Sequence, residues 1–144
     1  MAKVMSQRSE EPEIQPLLVH KYVKLWPREV FYIREAKIQQ ELKDSLKHSG
    51  VYVLYLNFDV FYIGKADNLF RRLDAHAGTR YQLWNHFSAF VVDPEHLAEV
   101  EAIMIAATPR TANKSGGKVF KKIDLPGEIQ SVLDKVRGIH PPQT

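Results

Sequence analysis

The chain has 144 residues, 44% of them hydrophobic and 26% charged, and a formal net charge of +3, as expected for one ordinary globular domain. It contains no cysteine, which excludes a disulfide framework, a zinc finger and a thiol nucleophile. It has no apolar run near the ~18 residues that span a membrane and no signal-peptide apolar region, so we expect a cytoplasmic protein with no membrane partner.

The first third of the chain predicts a loose tail, an ambiguous segment and one helix. Residues 1–16 are polar, whereas 20–33 are aromatic-rich and fit either a strand or a helix, with Pro27 arguing against one continuous element. Apolar side chains at every fourth position predict a helix over 35–47. We therefore expect residues 1–48 to form an N-terminal tail and helical extension.

The middle of the chain predicts a β-hairpin followed by a helix and a third strand. The runs VYVLYL (51–56) and VFYI (60–63) are β-branched and aromatic, and a short turn with Asn and Asp separates them. Both faces of these runs are largely apolar, so the sheet should be covered on both sides. A helix over 68–77 and a strand over 86–92 follow.

The last third of the chain predicts two helices joined by a polar loop. Asp93-Pro94 is typical of a helix start, with Asp as the N-cap, and that helix should continue to about Ala107. Residues 109–118 predict a loop. Pro126 can open a final amphipathic helix, with Gly138 as its stop.

Polar side chains at the border of an apolar helical face mark the helix over 68–77. On a helical wheel Arg72 and His76 flank the apolar stripe and lie four residues apart, so they are neighbours on the surface. An arginine that packs its stem and a histidine with a satisfied hydrogen bond are the ordinary interpretations of such positions.

A carboxylate occupies the apolar face of the next helix. Glu101 falls inside the apolar arc, whereas Glu99 points away from it. A carboxylate among core side chains must be paired, bound to a metal or protonated, because a bare buried charge is costly. A structural ion pair with Arg72 is the alternative to a functional site.

Basic residues follow the third helix without any acid among them. Such a segment suits a phosphate backbone, although a solvated charged loop has the same composition. The five residues are Arg110, Lys114, Lys118, Lys121 and Lys122.

Gly50-Val51-Tyr52 followed by Tyr62-Ile63-Gly64 resembles the signature of the GIY-YIG nuclease superfamily. The family continues with an Arg and a His on the next helix, a Glu on a later helix, and then a Pro and an Asn. The residues that fill these positions at the matching spacing are Arg72, His76, Glu101, Pro109 and Asn113. The resemblance covers roughly residues 50–117.

The resemblance implies a fold, a reaction and a partner. The fold is α+β, an α/β sandwich with a small three-stranded, mainly antiparallel sheet flanked by helices. We expect it over residues 49–138, with a C-terminal tail at 139–144. The implied reaction is endonuclease cleavage of nucleic-acid phosphodiester bonds, with DNA favoured over RNA, using one divalent cation, Mg²⁺ or Mn²⁺.

The family resemblance also implies roles for single residues. Glu101 would be the metal ligand, because Mg²⁺ prefers oxygen ligands and keeps most of its waters. Arg72 would stabilise the charge that develops on the phosphate oxygens. Asn113 would anchor the site through hydrogen bonds.

A tyrosine would help to deprotonate the attacking water, and the sequence leaves open whether this is Tyr52 or Tyr62. Because free tyrosine has a pKa of about 10, it needs a nearby positive charge, for which Lys65 and His76 are the candidates. The full implied catalytic set is Tyr52, Tyr62, Lys65, Arg72, His76, Glu101 and Asn113.

Two other functions compete with a nuclease. A catalytically silent nucleic-acid-binding module could use the same fold, but every catalytic position of the family is filled by a competent residue. A purely structural domain could use Glu101 and Arg72 as an ordinary ion pair. The basic segment after Pro109 is weak evidence against such a structural role.

Overall fold

The computed structural model describes residues 17–79, 82–113 and 121–139; the expected tail at 1–16 and residues 140–144 lie outside them. The strands of the described part are β1 (Val19–Pro27), β2 (Gly50–Leu56), β3 (Asp59–Ala66) and β4 (His86–Val92). Its helices are α1 (Ala36–Leu46), α2 (Leu69–Ala77), α3 (Leu97–Ala107) and α4 (Gly127–Ile139), with 3₁₀ turns at Arg28–Tyr32 and Pro94–His96. None of these helices is long and apolar enough to cross a membrane.

The strands form one antiparallel sheet in the order β1-β4-β2-β3. This confirms the α+β class with a sheet flanked by helices, but the described sheet has four strands rather than three. The additional strand β1 comes from the segment that was ambiguous in sequence, and it ends at Pro27 as expected. Because β1 pairs with β4, the sheet extends across the boundary expected between residues 48 and 49.

Strands β2 and β3 form the predicted hairpin around Asn57 and Phe58. These two residues have φ angles of 52° and 71°, and positive φ at both central positions is what a two-residue hairpin turn of type I′ requires. The register places Tyr52 opposite Gly64, so the two halves of the sequence motif lie side by side. Strand β3 is at the edge of the sheet.

Alternate residues of β2 point to opposite faces of the sheet, and helices cover both faces as predicted. Tyr52 and Leu54 pack in one cluster with buried residues of α2. Val51 and Val53 pack in a second cluster with buried residues of α3. Helices α2 and α3 therefore lie on opposite sides of the β2–β3 hairpin.

The helices expected over 35–47 and 68–77 are confirmed as α1 and α2. The next helix differs at its start, because Asp93 does not cap it through its side chain. That carboxylate instead lies 3.2 Å from His20 Nε2 on β1, and the chain passes through a 3₁₀ turn before α3 begins. Asp93 thus ties the end of β4 to the added strand.

Helix α4 confirms the last predicted helix but not its predicted end. It continues through Gly138 to Ile139. Gly138 does not adopt the left-handed backbone conformation that would end a helix, so the glycine does not act as a stop. Residues 109–113 are loop as expected, and 114–118 lie outside the described residues.

Candidate active site

Helix α2 presents two polar side chains to the hairpin. Asn68 caps the helix, because its Oδ1 accepts a hydrogen bond from the Arg71 amide at 3.1 Å. The buried side chains of α2 anchor its inner face in the core. Arg72 and His76 extend from the border of that face, one turn apart. His76 is half-buried, whereas Arg72 is exposed, as is Arg71, which the wheel predicted to face solvent.

The Tyr52 ring lies directly against the backbone of Gly64. Tyr52 is fully buried, and a Cβ atom at Gly64 would lie 2.5 Å from its Cζ and 2.9 Å from its Cε1. Gly50 is constrained in the same way, because a Cβ there would lie 2.6 Å from Leu69 Cδ1 and would overlap the Phe90 carbonyl. Both motif glycines are therefore required by close approach.

The Tyr52 hydroxyl is connected to a histidine and a glutamine. Its oxygen lies 2.8 Å from His76 Nε2, and His76 Nδ1 lies 2.7 Å from the Gln82 side-chain oxygen. The Tyr62 ring completes the cluster, with its centroid 6.2 Å from the Tyr52 ring and 5.9 Å from the His76 ring. Tyr62 is half-buried, so the cluster reaches the surface at β3.

Burial controls the charge state of this cluster. It raises the pKa of Tyr52 to about 12, and the nearby Tyr62 hydroxyl acts in the same direction, although Arg72 beside the Tyr52 hydroxyl opposes them. Burial also lowers the pKa of His76, and the positive charge of Arg72 lowers it further. His76 is therefore neutral at pH 7. The cation beside Tyr52 is Arg72, whereas the sequence suggested Lys65 or His76.

Glu101 forms an ion pair across the other side of the sheet. Its side chain is only 18% exposed, and its Oε1 lies 3.1 Å from Lys65 Nζ. Lys65 follows Gly64 on β3 and so points to the α3 side. The partner is therefore Lys65 and not Arg72, which the sequence offered as the alternative for a structural ion pair, because a helical wheel gives the direction of Glu101 but not the strand it meets. Glu99 is exposed, as predicted.

Asn113 binds the outer edge of β3. Its Oδ1 accepts a hydrogen bond from the Ile63 amide at 3.0 Å, and its Nδ2 donates one to the Ile63 carbonyl. The neighbouring Ala112 amide donates to the Phe61 carbonyl at 2.7 Å. The chain after α3 is thus attached to the same strand that carries Tyr62 and Lys65.

The candidate residues form two groups on either side of edge strand β3. The group on the α2 side consists of Tyr52, Tyr62, Arg72 and His76, and the group on the α3 side consists of Lys65 and Glu101, while Asn113 binds the outer edge of the strand itself. The charges of Arg72 and Glu101 both act on the pKa of Tyr52. The two groups therefore lie close enough to interact electrostatically.

The donor set suits a hydrated cation. Within residues 17–79, 82–113 and 121–139 there is no group of three or more His, Cys, Asp or Glu side chains that could hold a metal ion. Glu101 offers a partly exposed carboxylate at the site. One carboxylate fits Mg²⁺, which is commonly held by one or two carboxylates together with water and substrate phosphate.

The basic segment is described only at its two ends. Arg110, Lys121 and Lys122 are exposed, and Lys122 Nζ lies 4.0 Å from an Asp124 oxygen. The positions of Lys114 and Lys118 lie outside the described residues. Arg110 lies three residues before the anchored Asn113, which connects the segment to the candidate site.

Two residues at the site had no signal in the sequence. Gln82 contacts His76, and Arg28 donates hydrogen bonds to backbone carbonyls around the end of α2. Gln82 belongs to a loop, and a loop has no helical or strand periodicity from which an inward-pointing side chain could be predicted. Arg28 lies in a segment without a family motif, 54 residues away from Gln82.

Three solved structures are similar to part of the chain. All are point mutants of the N-terminal GIY-YIG endonuclease domain of UvrC from Thermotoga maritima, bound to its catalytic divalent cation. The sequences are 20–21% identical, the match covers 50% of this chain and 89% of each neighbour, and the TM-scores are 0.38–0.39. No protein-family model and no curated protein matches the chain.

The neutral state of His76 predicts a pH-dependent stability. In the unfolded chain His76 binds a proton near pH 6.5, whereas the folded chain binds it only at lower pH. The unfolded state therefore binds more protons between these values, and the free energy of unfolding should fall as the pH drops from 7.5 to 5. Urea titrations should show a smaller fall in His76→Gln.

The control for this experiment is His96→Gln, which lies at the start of α3 outside the aromatic cluster. This variant should retain the pH dependence of the unmodified chain. An equal fall in stability for the unmodified chain and His76→Gln would show that His76 is not held neutral by the fold.

Proposed function

We infer that the chain is a divalent-metal-dependent endonuclease that hydrolyses phosphodiester bonds of nucleic acid, with DNA favoured over RNA. The observation that carries this inference is the placement, on the two sides of edge strand β3, of a hydrogen-bonded tyrosine–histidine pair with an arginine and of a partly exposed carboxylate. Each of these groups has a task in phosphodiester hydrolysis. The family resemblance of the motif supports the same reaction.

Tyr52 moves a proton without becoming a stable anion. At a pKa of about 12, ionising it at pH 7 would cost about 7 kcal/mol, at about 1.4 kcal/mol for each pH unit. His76 offers a cheaper route, because its Nε2 lies 2.8 Å from the hydroxyl. As the attacking water gives a proton to the Tyr52 oxygen, the original hydroxyl proton passes to Nε2. The phenol remains neutral and His76 carries the charge.

Arg72 and Glu101 act on the phosphate and on its cation. Arg72 lies beside the Tyr52 hydroxyl, so a phosphate next to that hydroxyl can accept hydrogen bonds from its guanidinium. Glu101 would hold a hydrated Mg²⁺ or Mn²⁺ through its carboxylate. When bound, this cation would polarise the phosphate and stabilise the charge on its oxygens. Lys65 holds the carboxylate in place through the 3.1 Å ion pair.

One observation also favours a structural interpretation of this carboxylate. Lys65 compensates the charge of Glu101 without any metal ion. If that pairing were its only purpose, the chain could bind nucleic acid without cleaving it. A substitution at Glu101 separates the two possibilities.

Glu101→Gln should lower DNA cleavage by at least about 100-fold, because it removes the carboxylate proposed to hold the cation. Cleavage of plasmid, single-stranded and branched DNA, and of RNA, should be followed with Mg²⁺, with Mn²⁺ and with a chelator. Binding of labelled DNA in chelator should change little. Glu99→Gln, two residues away on the exposed side of α3, is the matched control and should cleave normally.

Undiminished metal-dependent cleavage by Glu101→Gln would place the cation elsewhere. If the unmodified chain binds these nucleic acids with and without metal but cleaves none of them, it is a silent binding module. A loss of folding in Glu101→Gln, with no cleavage by the unmodified chain, would favour the structural ion pair.

The exposed basic residues should provide affinity for the phosphate backbone. Each contacted phosphate steepens the log–log salt dependence of duplex binding by roughly 0.9. We expect the double variant Lys121→Ala/Lys122→Ala to bind duplex DNA more weakly and with a flatter salt slope. Its cleavage rate at saturating DNA should change little, because neither lysine is proposed to contact the reacting phosphate.

Fluorescence anisotropy across a series of salt concentrations measures this slope. The double variant Lys135→Ala/Arg137→Ala on α4 removes the same charge and should leave the slope unchanged. If both double variants flatten the slope equally, the effect comes from net charge. An unchanged slope in Lys121→Ala/Lys122→Ala would show that DNA binds elsewhere.

A further inference from the structure

The loop that leaves α2 is held by a residue from the N-terminal segment. Arg28 donates hydrogen bonds to five backbone carbonyls, of which the His76 carbonyl is the most distant at 3.5 Å. Its donors reach Ala77 and Thr79 at 3.0 Å, Gln82 at 2.7 Å and Trp84 at 2.9 Å. The guanidinium also lies 4.7 Å above the centre of the Trp84 ring. A planar group with several fixed donors is suited to such multiple contacts.

Neighbouring contacts strengthen this attachment. Arg28 Nε donates to the Tyr32 hydroxyl at 2.9 Å, and that hydroxyl donates to the Ala77 carbonyl at 2.9 Å. The Arg28 amide donates to the Asn85 carbonyl, also at 2.9 Å. The 3₁₀ turn after β1 is therefore joined to both the end of α2 and the loop before β4.

Gln82 is fixed at both its backbone and its side chain. Arg28 holds its backbone carbonyl, and its side-chain oxygen lies 2.7 Å from His76 Nδ1. An amide oxygen can only accept a hydrogen bond, so Nδ1 must carry the proton. In a neutral imidazole the other nitrogen, Nε2, then has a lone pair. That lone pair faces the Tyr52 hydroxyl.

We propose that Gln82 and Arg28 are positioning residues of the site: Gln82 fixes the His76 tautomer that accepts the Tyr52 proton, and Arg28 fixes the loop that carries Gln82. The chemical part of this proposal rests on the endonuclease function inferred above. Neither residue contacts the substrate. They act through His76, which takes the proton, and through Tyr52, which passes it on.

The tautomer decides which way the Tyr52 hydroxyl points. With the Nε2 lone pair facing it, Tyr52 donates its proton to His76, and its oxygen is left to accept from Arg72 or from water. The opposite tautomer would direct an N–H at the Tyr52 oxygen and would turn the hydroxyl proton toward the substrate. In that state the attacking water would meet a donor where the reaction needs an acceptor.

The charged neighbours of His76 make an amide a suitable partner. Arg72 and Arg28 both carry positive charge near the ring. A neutral acceptor at Nδ1 orients the ring without adding a negative charge that would favour the imidazolium. The His76 ring therefore stays neutral at pH 7 and is available as a base.

The experiment is NMR of the ¹⁵N-labelled full chain, in which long-range ¹H–¹⁵N couplings assign the tautomer of each histidine. We expect His76 to be protonated at Nδ1. Gln82→Leu removes the acceptor, so His76 should populate both tautomers. Gln82→Glu keeps an acceptor oxygen and should restore protonation at Nδ1. Gln40→Leu, which removes an exposed contact to Asp44 on α1, is the matched control.

Kinetics provide the second measurement. Gln82→Leu should lower kcat for DNA cleavage by about 100-fold with KM little changed, because proton transfer and not binding is affected. Arg28→Lys retains the charge but not the fork of donors, and should lower kcat about tenfold. Arg34→Lys, an exposed arginine of the same segment, should have no effect. If Arg28→Lys fails to fold, the Gln82 variants still test the proposal.

Protonation at Nε2 in the unmodified chain would overturn the proposal, because the Gln82 amide would then be turned the other way. An unchanged tautomer in Gln82→Leu would also overturn it. The NMR experiment needs no cleavage. If the tautomer depends on Gln82 while the chain cleaves no nucleic acid, the endonuclease function is wrong and the positioning of His76 stands.

Discussion

The contact between the Tyr52 ring and the backbone of Gly64 sets the geometry of the site. In a sheet, two residues that face each other on neighbouring strands normally each carry a Cβ atom, and these two atoms keep the side chains apart. Here one strand lacks that atom, so the ring lies flat across β3 and is fully buried. Its hydroxyl lies beside α2, 2.8 Å from His76 Nε2. A side chain at Gly64 would displace the ring and separate this pair.

Burial gives these two groups complementary proton affinities. It makes the phenol a poor acid and the imidazole a poor cation, so both remain neutral at pH 7. Two neutral groups in hydrogen-bond contact can transfer a proton between them when the binding of a charged ligand changes the electrostatic potential at the pair. A phosphate and its cation at the edge of β3, between Arg72 and Glu101, would be such a ligand. The aromatic cluster and the ion pair therefore depend on the same edge strand.

Much of this arrangement could be predicted from the sequence. Two β-branched and aromatic runs around a short turn predicted the hairpin, and helical periodicity placed Arg72 and His76 at the border of the apolar face of α2. The partner of Glu101 could not be predicted, because the wheel phase says nothing of the strand that faces a helix. The strand β1 was ambiguous because its alternation is interrupted. Its pairing with β4 has two irregularities, and Leu25 has a φ of 52°.

Contacts between distant segments were the least predictable part of the site. Arg28 and Gln82 lie on irregular segments, where spacing carries no information about direction. Only the fold brings them to His76. Asn113 differs because the family motif identifies it, yet its pairing with the edge of β3 follows from hydrogen bonds that no spacing reveals. The sequence thus predicts the chemical groups more fully than the contacts that orient them.

The most direct test of this account is the metal-dependent DNA cleavage rate of Gly64→Ala. The added methyl group displaces the Tyr52 ring, so cleavage should fall by at least about 100-fold. The free energy of unfolding should fall by only about 1–3 kcal/mol, which leaves the chain folded. Gly127→Ala is the control, since a Cβ there meets nothing within 4 Å. A folded Gly64→Ala variant that cleaves DNA as fast as Gly127→Ala would contradict the account.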